Sequence, residues 1–140
     1  MENGLDKSQG TIKGYPMQWI AIALGGAIGA VLRHLVAIWS FPVFENRLPL
    51  GTFIVNITGS LLIGVAYVAI VERGMLGHEW RLLIMTGLFG ALTTFSTFSL
   101  ETVLLWHNGQ PLTALAYIAV SLLACLAATA ATISLGMKYL

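Results

Sequence analysis

Four long apolar runs, separated by short polar links, set the pattern of this chain. They cover roughly residues 19–39, 51–71, 82–106 and 112–137. A helix rises 1.5 Å per residue, so about 20 residues cross a hydrocarbon core about 30 Å thick. The pattern therefore predicts four transmembrane helices and one compact membrane domain over residues 17–140. The links are short. Residues 40–50 hold Pro42, Glu45, Arg47 and Pro49, and residues 72–81 hold Glu72, Arg73, His78, Glu79 and Arg81. His107-Asn-Gly-Gln-Pro111 reads as a tight turn. Residues 1–16 are polar and lack the apolar core of a signal peptide, so they read as a disordered tail.

Polar residues inside the runs carry most of the information. The third run contains Thr86-Gly-Leu-Phe-Gly-Ala-Leu-Thr-Thr-Phe-Ser-Thr-Phe-Ser-Leu-Glu101. Gly87 and Gly90 followed by Thr93 and Thr94 predict one helix ending and another starting near 90–94, with either threonine as N-cap. A break at membrane depth survives only where protein or a wet cavity covers the freed backbone groups, and such breaks mark ion or substrate sites. In the second run, Thr52, Asn56, Ser60 and Gly64 recur every four residues on one drifting helix face. In the fourth, Thr113, Tyr117, Ser121, Cys125 and Thr129 do the same. The first run carries Gly25 and Gly29, a spacing suited to close helix packing, and then Arg33, an expensive charge inside a span.

Composition narrows the class. Hydrophobic residues make up 57% and charged residues 9% of the 140, against about 25% charged in soluble domains. A net charge of +1 gives no footprint for nucleic acid. The single cysteine, Cys125, excludes an internal disulfide, and no Cys/His cluster has zinc spacing. No nucleophile, base and orienting acid come together, so no enzyme is expected. Counted over both sides, basic residues give only a slight bias toward an N-inside orientation, so insertion both ways round is open. Four short helices enclose little volume, which favours an oligomer.

Most of the polar groups donate hydrogen bonds without carrying charge. A half-helix N-terminus adds N–H donors and positive partial charge. Phe95 and Phe98, three residues apart, can turn positive ring edges inward. Together these suit a small anion that exchanges its water shell for fixed donors. The freed carbonyls at Gly90 to Thr93 are acceptors instead, and suit a cation.

On these residues the chain resembles the CrcB/Fluc family of fluoride channels. The matching residues are Gly25-Gly-Ala-Ile-Gly-Ala-Val-Leu-Arg-His34, Pro49-Leu-Gly-Thr-Phe-Ile-Val-Asn56 with Gly59 and Gly64, and Gly87 through Glu101. The similarity runs from about Trp19 to the C-terminus. It implies an all-α integral membrane protein: four transmembrane helices, the third broken mid-membrane, paired as an antiparallel dual-topology homodimer in a bacterial plasma (inner) membrane. It implies passive export of fluoride from the cytoplasm. It assigns the ion pore to Phe95, Phe98, Asn56, Thr97, Tyr117 and Ser121, and vestibule or supporting roles to Arg33 and Glu101. It implies a structural, non-transported Na+ at the dimer interface, held by the Gly90 and Thr93 carbonyls. Fluoride, lipid and a second copy of the chain are the implied partners. Two positions depart from the family pattern. Ala91 stands where a second glycine is frequent, and Cys125 where serine is common. The alternative reading is a small multidrug-resistance-type proton-coupled exporter. Such exporters need an acid in the first span, where this chain has Arg33.

Overall fold

The computed structural model describes residues 15–43 and 49–140. The expected disorder of the N-terminal tail falls on residues 1–14, outside the described residues. Tyr15 and Pro16, which the sequence reading put in the tail, already belong to the first helix. Glu45 and Arg47 of the first link also lie outside the described residues.

Helix α1 is Tyr15–Val43. Helix α2, Leu50–Ala66, runs on as a π-helical stretch at Tyr67–Glu72. Helix α3 covers residues 78–92: a turn at His78–Arg81, a π-helical stretch at Leu82–Phe89 and a turn at Gly90–Leu92. Helix α4 is Phe95–His107 and α5 is Pro111–Tyr139. Among the described residues, four helices are long and apolar enough to span a membrane: Pro16–Ser40, Leu50–Glu72, His78–His107 and Pro111–Tyr139. The protein is an all-helical, multi-pass membrane protein. Its α5 starts with Pro111, whose missing N–H has no partner to lose at a helix start. Gly109 just before it takes φ 76°, a backbone that side chains resist.

The small residues decide which helices meet. Helix α1 packs chiefly on α3, and α2 on α5. A Cβ placed on Gly25 would land on the Leu83 carbonyl, and one on Gly29 on the Leu88 carbonyl. Gly87 answers from the other side, where a Cβ would sit 2.8 Å from the Ile22 carbonyl oxygen. On the second pair, a Cβ on Gly64 would strike Thr132 Oγ1. Lipid tails are as apolar as leucine, so such close backbone approach is what holds membrane helices together. A modest core of Val55, Ala66, Ile70, Phe89 and Leu92 fills the centre. Most of the large apolar side chains point outward: Leu112 is 80% exposed, and Leu123 and Leu126 are each 69% exposed. Arg73 Nη2 donates to the Met137 carbonyl at 3.0 Å, which sets the second link and the C-terminal end of α5 on one side.

Candidate functional site

The site is built around two residues that leave helical geometry. Thr93 has φ −79° and ψ 155°, and Thr94 has φ −150° and ψ 119°, both extended. Of the two candidate caps, Thr94 is the N-cap of α4: its Oγ1 accepts from the Thr97 N–H at 3.2 Å. The same hydroxyl donates to Thr97 Oγ1 at 3.0 Å and meets Ser96 Oγ at 3.2 Å. Asn56 on α2 clamps the extended segment from outside. Its Oδ1 accepts from the Thr94 N–H at 2.8 Å, and its Nδ2 donates to the Thr94 carbonyl at 3.2 Å. The side-chain amide thus takes over the N–H bond that a continuous helix would have given Thr94 and adds a second bond to its carbonyl, which as the N-cap carbonyl also serves the helix that follows.

This rerouting frees two carbonyls. In an unbroken helix the Gly90 oxygen accepts from the Thr94 N–H, and the Thr93 oxygen from the Thr97 N–H. Those donors go instead to Asn56 and to Thr94 Oγ1.

Beyond the extended segment, Phe95 and Phe98 meet at 5.6 Å between ring centroids, tilted by 43°. Phe98 also meets Tyr117 of α5 at 5.1 Å and 47°. Phe98 is buried, whereas Phe95 is 73% exposed on the side of the chain. One turn past Thr97, Glu101 accepts from Thr52 Oγ1 at 2.7 Å and from the Tyr117 hydroxyl at 3.0 Å. The partners it has are hydroxyls, one from each flanking helix.

Two cavities open from this cluster. One, of about 390 Å³, has Arg33, His34 and Ser40 of α1 on one wall and Thr52, Thr97 and Glu101 on the other. The second, of about 350 Å³, is walled by Asn56, Phe95, Phe98, Ser121 and Cys125, with Thr93 and Thr94 at its edge. Thr94 lines both. Of the residues singled out from sequence, Asn56, Phe95, Phe98 and Ser121 share one cavity, while Arg33, Thr97 and Glu101 share the other. Tyr117 joins the two groups through its ring on Phe98 and its hydroxyl on Glu101. Gly90 lines neither. The Ser121 hydroxyl is buried and has no hydrogen-bond partner among the described residues.

Thr52 was missed as a site residue, and Thr94 was named only as a candidate cap. Thr52 was visible as the first member of the four-residue row on α2, and its partner Glu101 lies 49 positions away. The rest of that row is used by other neighbours. Asn56 holds Thr94, and the Ser60 carbonyl accepts from Thr129 Oγ1 at 3.0 Å. The arrangement brings neutral hydroxyls and the Phe95 and Phe98 rings to the walls of two cavities, with Arg33 on one of them, and pairs the Glu101 carboxylate with two hydroxyls.

Comparison with known proteins finds relatives over most of the chain. A family model described as "CrcB-like protein, Camphor Resistance (CrcB)" matches residues 20–133. A Saccharophagus degradans protein named "Fluoride-specific ion channel FluC" is 44% identical over 120 residues, covering 86% of this chain and 90% of its own length. A protein of the same name from Hahella chejuensis is 49% identical over 116 residues, covering 83% of this chain and 91% of its own. One from Shewanella amazonensis, also so named, is 50% identical over 105 residues, covering 75% and 84%.

Proposed function

The chain belongs to the CrcB family, and from that premise we propose that it is a passive, fluoride-selective channel, not an enzyme, that lets fluoride leave the cytoplasm. The observation that carries this reading is the cavity that Asn56, Phe95, Phe98 and Ser121 wall together, with the Ser121 hydroxyl buried behind that wall and unpartnered among the described residues. A buried donor without a partner loses free energy unless an occupant accepts from it. Fluoride is small, strongly hydrated and accepts hydrogen bonds well. Fixed hydroxyls and the positive edges of tilted rings replace its water shell without adding a cation that would trap it. Arg33 at the other cavity draws anions toward the mouth.

The direction of flux follows from membrane electrostatics. Fluoride enters acidified cells as neutral HF and ionises inside, where its charge holds it. A negative-inside potential then drives it out by about 2.3 kcal/mol per charge per 100 mV. We place the channel in the bacterial plasma membrane as an antiparallel homodimer, in which the Thr93–Thr94 break of the third span lies at membrane depth. Phe95, 73% exposed on the single chain, supports a partner on that side.

The test is anion efflux from liposomes that hold only the purified protein. Fast fluoride release with chloride retained is the expected result. Retention of both anions by a folded dimer, or equal release of both, would remove the proposal.

A structural Na+ belongs to the same reading. The Gly90 and Thr93 carbonyls fit a hard cation, because both are oxygen acceptors whose helical donors are engaged elsewhere. Two copies would bring two such pairs, and the ion would supply the positive charge that tolerates them close together. A ligand bound only to the folded state stabilises it by about 2.7 kcal/mol at a hundredfold excess over Kd. Thermal unfolding of the purified dimer should therefore occur at a higher temperature in Na+ than in Cs+ at equal ionic strength. Identical midpoints would sink the sodium site and leave the channel reading standing.

A further inference from the structure

The larger cavity, of about 390 Å³, holds a titratable group that the channel reading leaves unused. Ala30, Arg33, His34 and Ala37 line it from α1, at a spacing that puts all four on one helix face. The two alanines are short, so the charge that this face can turn to the cavity comes from Arg33 and His34. His34 is exposed on the chain and stands six residues, about 9 Å of helix rise, before the end of the first span at Ser40. Protons from water can reach a side chain so placed. On the opposite wall, α2 brings Thr52 and α4 brings Thr97 and Glu101, with Thr94 between α3 and α4. Among the described residues, Arg33, His34 and Glu101 are therefore the titratable groups of the lining. Tyr117 of α5 stands behind Glu101 and donates to it, as Thr52 does, so the carboxylate already has two partners. In formal charge, Arg33 and Glu101 cancel. The sign of the lining then turns on His34.

We propose that His34 is a second anion-recruiting residue beside Arg33, charged in acid only, so that fluoride flux rises as pH falls. The proposal rests on the channel reading above. Histidine is the side chain whose charge ordinarily changes between pH 5 and 8. Protonation adds one positive charge to the lining, and a positive lining raises the local concentration of an anion. Deprotonation withdraws that charge as pH rises. A unit charge about 7 Å from the ion's path, acting through water, contributes about one RT, or about threefold in local fluoride. The gain comes under the condition in which neutral HF loads the cell.

The experiment compares the full-length protein with His34→Gln and His34→Lys in liposomes, with the same pH inside and outside. Fluoride efflux is read at about pH 7.5 and about pH 5.5, the two sides of histidine's ordinary range. Protein-free liposomes at each pH give the leak of neutral HF, which is subtracted, and each protein is referred to its own flux at the higher pH. That ratio isolates His34, because Glu101 titrates in all three proteins. At an ionic strength of about 0.01 M, wild type should gain about threefold more on acidification than His34→Gln or His34→Lys, since neither variant changes charge at this position in that range. Sodium gluconate at about 1 M shortens the screening length from about 30 Å to about 3 Å and should erase the difference. His34→Asn serves if the glutamine variant does not fold. The same pH profile in wild type and His34→Gln would overturn the proposal. So would a difference that persists at high salt, because that would mark a packing contact and not a field. If folded wild type releases no fluoride at either pH, the channel reading itself fails and the proposal falls with it, whereas flux with matching pH profiles leaves the channel standing and removes only the role of His34.

Discussion

Asn56→Asp should reduce fluoride efflux by at least about a hundredfold while the protein still purifies folded. The argument starts from the two bonds that Asn56 makes. Its oxygen accepts from the Thr94 N–H at 2.8 Å, and aspartate keeps that bond. Its nitrogen donates to the Thr94 carbonyl at 3.2 Å, and there aspartate turns a donor into a second acceptor. Leaving a buried partner unsatisfied costs roughly 1–3 kcal/mol, or about one to two decades in an equilibrium. The larger effect is charge. Asn56 walls the cavity of Phe95, Phe98 and Ser121. Two like charges about 4 Å apart at an effective dielectric of 20 repel by about 4 kcal/mol, close to three decades against an anion. Asn56→Ala separates the two effects, since it removes the clamp and adds no charge. It should lose flux less severely and unfold at a lower temperature than wild type. Wild-type fluoride efflux in Asn56→Asp would take Asn56 off the path.

How much of this was legible beforehand depends on the range of the interaction. The four spans followed from run length alone, and their ends moved by only a few residues in the structure: the first from 19–39 to Pro16–Ser40, the last from 112–137 to Pro111–Tyr139. The Gly25/Gly29 pair was read as a packing surface and does pack against α3. Local chemistry also narrowed the N-cap to Thr93 or Thr94, and Thr94 holds that place. The long-range pairings were not legible. That Thr52 reaches Glu101 and Thr129 reaches the Ser60 carbonyl depends on how α2 meets α4 and α5. A row of hydroxyls four residues apart announces a polar face but does not say which neighbour each member meets. The loneliness of Ser121 was likewise out of reach, because Ser99 and Thr102 have the same sequence appearance and bond their own helix. Only coordinates separate a hydroxyl that bonds its own helix from one buried without a partner.

Gly25→Ala should prevent α1 from docking on α3, and the same substitution one residue later should be harmless. Alanine favours a helix over glycine by about 1 kcal/mol, so intrinsic propensity argues for both changes. At Gly26 a Cβ meets nothing within 4 Å, so only that gain remains. At Gly25 the Cβ lands on the Leu83 carbonyl, with the Leu83 carbonyl carbon at 3.0 Å and the Leu88 nitrogen at 2.9 Å. All three are backbone atoms of the facing helix, so no side chain can turn aside and the two helices must separate. Overpacking by one methylene in a well-packed site costs about 1–3 kcal/mol, and contact with backbone belongs at or above the upper end. The damage reaches the candidate site. Gly29 sits one turn further along the same seam, so a separation at Gly25 also opens the contact of Gly29 with Leu88 and Leu92 just before Thr93. Helix α1 carries Arg33 to the mouth of the larger cavity, so the same shift displaces that charge from Glu101 and Thr97. Thermal unfolding in detergent, with fluoride efflux from liposomes, checks this directly. Gly26→Ala should keep wild-type flux and unfold at or slightly above the wild-type temperature, whereas Gly25→Ala should lose at least about 3 kcal/mol of stability and most of its flux. Equal unfolding temperatures for the two variants would mean that the α1–α3 seam is looser than its glycines imply, and Arg33 would then have to be held in place by something other than this contact.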